Sequence, residues 1–244
     1  MRKLIAVLFV VCFCKCSCPK SESIVTENVD SLQWISMLTN EDAIYISVQI
    51  PEGFFLDTLQ QFDNERKMGI FLVMPVFDIE DMEEINRVVK AGIEEQKNQF
   101  IAELGEVITG FVNEFYFVPI SIYQDEKIIS YSFVMSCYHA GAVHPVSFYQ
   151  SFNFDAKTKK SIDFEDYFIL KTKTDSVFFT DIITKSINRE GVFLDTLYNL
   201  DFNIEKDTIS FDFSTYEIAC YAAGLIQAKI HKKELYGRIR ANYR

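Results

Sequence analysis

The sequence is short of the residues that interrupt regular structure. Nine glycines and five prolines in 244 residues are too few for a collagen-like or low-complexity chain. There is no repeat of solenoid period and no Ser/Gly linker. Positive charge is also scarce: 24 Lys and Arg stand against 35 Asp and Glu, for a formal net charge of −11. A surface of that sign repels nucleic acid and anionic lipid, which argues against both as partners. It attracts basic proteins, and it also keeps an apolar chain in solution. Histidine appears three times, which leaves few imidazoles for a metal. No G-x-S-x-G, P-loop, G-x-G-x-x-G or H-E-x-x-H motif is present. Carboxylate pairs are plentiful, but 35 acidic residues produce such pairs by chance, so they do not point to glycosidase chemistry.

What the chain has in quantity is apolar surface. It is 49% hydrophobic, with 23 Phe, enough for one large or two small packed domains. The first residues, MRKLIAVLFVVCFCKCSCPKSES, place Arg2 and Lys3 before an apolar run too short to span a bilayer. That is the pattern of an export signal over residues 1–17. Cys18 follows the small Ser17 and precedes a polar stretch, as the lipidated cysteine of a bacterial lipoprotein does; ordinary cleavage nearby is the alternative. The expected location is the bacterial periplasm or cell surface, with membrane contact only through a lipid anchor. Removing residues 1–17 takes away Arg2, Lys3 and Lys15 and leaves a charge of about −14. Besides Cys18, Cys137 and Cys220 then remain. In an oxidising compartment they can form a disulfide, or they can be two buried thiols.

Hydrophobic periodicity predicts strands over 43–50, 67–77, 111–123, 127–138 and 147–155. Phe148, Phe152 and Phe154 share one parity and should face one side. The clearest helix runs over 81–104, with Met82, Ile85, Val89, Ile93, Phe100, Ile101 and Leu104 on one face. Acidic residues crowd its first turn and match the helix dipole rather than a calcium loop. A short helix over 163–170 follows. A second helix over 175–189 puts Val177, Phe178, Ile182 and Ile187 inward and stops at Gly191. A hairpin over 201–213, a strand over 223–230 and a short terminal helix over 232–236 complete the chain. Grouped strands without regular βαβ alternation indicate an α+β fold with mainly antiparallel sheets. A long amphipathic helix packs on the N-terminal part, and shorter helices lie in the C-terminal part.

Two stretches stand out as candidate sites. His139 and His144 flank Gly141 in a small-residue loop, with Asp155 downstream. They offer an incomplete metal-ligand set, or a turn in which His144-Pro145 sets an extended start to the next strand. Tyr216, Glu217 and Tyr221 lie in Y-E-I-A-C-Y-A-A-G, between two strands. This is either a packed connection or a recognition surface, since exposed Tyr gives contact area at low entropic cost.

Taken together, these motifs resemble a family. Gly141 to Pro145 resembles the G-G-A-H-P turn of RsiV-type extracytoplasmic domains, which also stand beside PdaC-type peptidoglycan deacetylase domains. Ser151 to Lys160 is similar to the family's f-D-x-K-T-G-K strand and turn, and Ile162 to Phe168 to its L-x-D-L-F helix. Tyr216 to Gly224 is similar to its Y-E-I-A-P-Y-A-x-G signature, and Ile70 to Pro75 with Ile85-Asn86 to its upstream P-x-…-I-N region. This chain departs from the pattern by the inserted Val143, by lacking Gly after Thr158-Lys159, and by Cys220 in place of Pro. The resemblance implies an N-terminal α+β subdomain over 22–122 and an RsiV-like subdomain over 123–244. It implies no catalytic residue, cofactor or metal. The implied function is a cell-envelope binding protein that recognises a lysozyme-like basic protein. The alternatives are a peptidoglycan- or glycan-binding accessory domain, and a His-dependent metal site or hydrolase. The binding residues expected are His139, His144, Tyr216, Glu217 and Tyr221.

Overall fold

In the computed structural model, residues 26–29, 32–39 and 42–45 are described as backbone. Residues 48, 50–194, 197 and 200–244 are described in full, except the Glu80 side chain. The expected export signal and Cys18 lie outside the described residues. Strands β1 (Thr26–Val29), β2 (Leu32–Thr39) and β3 (Asp42–Tyr45) form an antiparallel meander.

The main sheet has the order β4-β5-β6-β7-β8. Its strands are β4 (Phe54–Asp63), β5 (Met68–Phe77), β6 (Asn113–Gln124), β7 (Ile128–Tyr138) and β8 (Val146–Asp155). All neighbours are antiparallel except β5 and β6. A parallel pair needs a crossover, and helix α1 (Glu83–Ala102) supplies it. The Asn86 side chain accepts a hydrogen bond from the Phe77 amide and donates one to the Phe77 carbonyl. The helix start is thereby tied to the end of β5. The division expected at 122/123 falls inside β6, and the sheet continues through β7 and β8.

One face of this sheet carries α1. Ile85, Val89, Ile93 and Phe100 pack on Met68, Ile70, Leu72, Phe115, Phe117, Tyr131 and Phe133. Phe148, Phe152 and Phe154 join the same cluster, as their shared parity predicts. β6 keeps its apolar side toward α1 by a register shift between Pro119 and Ser121. The extra residue moves the inward set from Phe115 and Phe117 to Ile122. Gly92 lets α1 sit close to β8, since a Cβ there would lie 2.7 Å from the Phe152 ring.

The second sheet has the order β11-β10-β9, from β9 (Asp201–Ile204), β10 (Thr208–Phe213) and β11 (Ile226–His231). With α2 (Phe164–Tyr167), α3 (Lys173–Ile187) and α4 (Lys232–Leu235) it encloses an aromatic core. Tyr167 and six phenylalanines, Phe164, Phe168, Phe179, Phe202, Phe211 and Phe213, are its largest members. Two expectations for α3 are corrected. Phe178, Ile182 and Ile187 pack against the core as expected, but the inward face is centred on Phe179 and Ile183, and Val177 is half exposed. The helix ends at Ile187 on Asn188 at φ 45°, before Gly191 is reached, because Asn tolerates the left-handed conformation that closes a helix.

The two sheets meet at β8, an edge strand whose outward polar groups are met by groups beyond it. The Ser147 carbonyl accepts from the Thr215 amide, and the Asn153 carbonyl from the Ile162 amide. The Tyr149 amide donates to Ser214 Oγ, and the Ser151 amide to Asp201 Oδ1. Behind it, fully buried Ser130 donates to Asn153 Oδ1 and accepts from Asn203 Nδ2 and the Ile204 amide.

Candidate functional site

The turn between β7 and β8 begins at His139. The Ala142 amide returns to the His139 carbonyl at 2.9 Å, and Gly141 stands at φ 86°. A Cβ on Gly141 would lie 2.9 Å from Ile108 Cδ1. Val143 is at the tip, 96% exposed, so its side chain points away from the turn's packed side.

The turn sends its two histidines to different places. His139 leans on Phe100 near the end of α1, with Nε2 3.8 Å from Glu103 Oε2. His144 turns toward the β10–β11 connection. Its ring stacks on Tyr221 with centroids 3.5 Å apart and planes 17° apart. Its Nδ1 lies 3.2 Å from the Pro145 carbonyl, and its Nε2 3.4 Å from Tyr216 Oη. Tyr221 Oη donates to the same Pro145 carbonyl at 3.0 Å. His139, His144 and Asp155 are therefore not brought together as metal ligands. Asp155 caps the turn at the far end of β8 through the Lys157 and Thr158 amides, a strand length of about 30 Å away. Among the described residues no three His, Cys, Asp or Glu side chains are placed to hold a metal.

The β10–β11 connection presents the tyrosines. Tyr216 has φ 71°, a left-handed backbone that is unusual for an aromatic residue. It is 57% exposed, and its ring lies 5.5 Å from that of Tyr221. Glu217 closes the turn, its Oε2 accepting the Ser214 amide at 2.7 Å. Enclosure of that carboxyl pushes its pKa up, against the Ser214 hydrogen bond. The structure thus brings His144, Tyr216 and Tyr221 together, puts Glu217 under the turn that holds Tyr216, and leaves His139 outside the group. Cys137 and Cys220 are free thiols. Cys137 packs on the α1 side of the sheet, where burial pushes its thiol up to about 12, whereas Cys220 is exposed beside Tyr221.

Sequence reasoning missed a polar group at the seam of the two sheets. Asp201 and Asp212 stand opposite each other across β9 and β10. Asp212 is fully buried. It accepts from Ser210 Oγ and Gln227 Nε2 at Oδ1, and from Ser132 Oγ at Oδ2. The only trace in the sequence is the polar alternation of D-F-N-I and T-I-S-F-D-F, which reads as a solvent face.

No protein-family model matches the sequence, and no curated protein is found similar to it. Among solved structures, a DUF3298 family protein from Pseudomonas aeruginosa PAO1 matches with TM-score 0.57 and 12% identity, over 79% of this chain and 96% of that one. A member of the DUF3298 family from Bacteroides fragilis NCTC 9343 matches with TM-score 0.54 and 16% identity, over 78% of this chain and 94% of that one. At these identities the likeness is one of fold, and the α+β fold of this chain is similar to that of DUF3298 family proteins.

Proposed function

We propose that the chain is a non-catalytic protein of the bacterial envelope, anchored through Cys18, whose contact surface is the His144, Tyr216 and Tyr221 cluster. One observation carries this reading: an exposed Tyr216 is held at φ 71° over a histidine–tyrosine stack. Backbone strain of this kind is kept where a side chain must be presented, and Tyr is a common anchor of protein interfaces. Both ring nitrogens of His144 face oxygens of its own chain, which supports a structural use of the ring over a catalytic one. The partner proposed is a lysozyme-like basic protein. The resemblance to RsiV-type domains and the charge of −11 support it, since opposite charge speeds encounter. Calorimetry and retention of the exported protein on immobilised lysozyme, at low and moderate salt, test it. Tyr216→Ala is expected to weaken binding by about ten-fold or more. No heat and no retention at low salt discards the lysozyme version. The exposed Tyr216 face beside Glu217 also suits a sugar ring. Co-sedimentation with purified peptidoglycan, with no lysozyme binding, would favour that second reading. Mass spectrometry of the exported chain tests the anchor, and an unacylated terminus elsewhere than Cys18 removes it.

A further inference from the structure

The seam between the sheets holds two acids that the proposed contact surface does not use. Asp201 and Asp212 are register partners on β9 and β10, so their side chains leave the same face of the sheet. Like charges directly opposite in an antiparallel pair repel, and a low-dielectric interior strengthens the repulsion. Their surroundings differ. Asp212 has three side-chain donors, from Ser132, Ser210 and Gln227, and the positive charge of Lys229 acts on it. Asp201 receives the Ser151 amide at 3.1 Å. The buried Ser151 hydroxyl beside it acts as the amide does and favours the charged carboxylate, so Ser151 alone serves Asp201 where three side chains serve Asp212. The other charges that act on Asp201 are both negative, from Asp212 and from Glu217 in the following turn. Tyr149, facing the seam from β8, also lies in the field of Asp212.

We propose that Asp201 and Asp212 form a proton-operated latch on the seam between the two sheets, with the proton on Asp201 and the charge on Asp212. Burial, and then the charge of Asp212, push the Asp201 carboxyl up to about 8. Burial also raises Asp212, against the bonds from Ser210, Gln227 and Ser132. The folded chain therefore holds a proton that the unfolded chain, with an ordinary carboxylate, releases near pH 4. The stability that this group contributes is fully present below that value and is lost as pH rises through about 8. The latch lies beneath the proposed contact surface, and this part of the inference rests on that assignment. His144 comes from the β7–β8 turn and Tyr216 with Tyr221 from the β10–β11 connection, so an opened seam separates the two halves of the surface.

Carboxyl carbon NMR of the wild-type chain, assigned through the backbone, tests the latch directly. Asp201 is expected to titrate near neutrality or above. A midpoint near 4 overturns the proposal, whether or not any variant folds. Thermal unfolding of wild type and Asp201→Asn from about pH 5 to about pH 9 tests the consequence. The wild-type midpoint is expected to fall across this range, and the variant to fall less and to melt several degrees higher at the alkaline end. Parallel curves overturn it. These readouts need no partner, so they stand or fall separately from the lysozyme assignment.

Discussion

Ser130 shows how much one hydroxyl can hold at the seam. It has one proton to give and two lone pairs, and all three are used, on Asn153, Asn203 and the Ile204 amide. Ser130→Ala leaves two buried donors and one acceptor without this partner. A buried orphan costs about 1–3 kcal/mol, so the expected loss in urea unfolding is about 2–4 kcal/mol. A loss under 1 kcal/mol would mean that the seam re-forms its bonds around the gap. The residues of the seam were not legible in the sequence. Alternation of polar and apolar positions separates the two faces of a strand, and it does not say whether the polar face meets water or another sheet. Asp201, Asn203, Ser210 and Asp212 obey the alternation and still face the protein. His144, Tyr216 and Tyr221 were legible as unusual residues. Their mutual contact was not, because it joins turns of two different sheets.

At the scale of elements, legibility followed burial. β5 is buried on nearly all its length and reads as a continuous apolar run. α1 repeats its apolar residues at helical spacing along one side. β4 was missed altogether. It is an edge strand, mostly exposed or half-buried along its length, so neither face imposes a pattern on F-F-L-D-T-L-Q-Q-F-D. The start of α3 carries a local signal instead. Thr172 Oγ1 accepts the Asp175 amide, and the Asp175 carboxylate accepts the Thr172 amide and hydroxyl. This reciprocal cap is worth about 1 kcal/mol. Thr172→Ala is expected to lower stability by about that amount with α3 still formed, as judged by urea unfolding and circular dichroism.

At the scale of the molecule, stability has an acid arm besides the alkaline one. The Asp175 carboxyl is held below the usual range by the Lys171 amide, then by Thr172, with Arg238 adding its charge. Asp125 is also low. Burial works against it, but the Tyr123 hydroxyl and the Lys127 and Ile128 amides prevail. A depressed carboxylate contributes stability that is present above its unfolded value, near 4, and is lost as pH falls through its folded value. The unfolding midpoint is therefore expected to drop below about pH 4, and Asp175→Asn to shrink that drop. An unchanged acid arm in this variant would show that other carboxylates set it.

The dressing of β8 by the second sheet has a consequence for how copies of this chain can meet. A five-stranded sheet has two sides from which it can grow. On one, the Ser147 and Asn153 carbonyls are already spent on the Thr215 and Ile162 amides, and the Tyr149 and Ser151 amides on Ser214 and Asp201. On the other, among the described residues, no strand pairs with the outer side of β4. Among the described residues β4 is thus the open border of this sheet, and growth through one border stops at a pair, because each new copy consumes the border it brings.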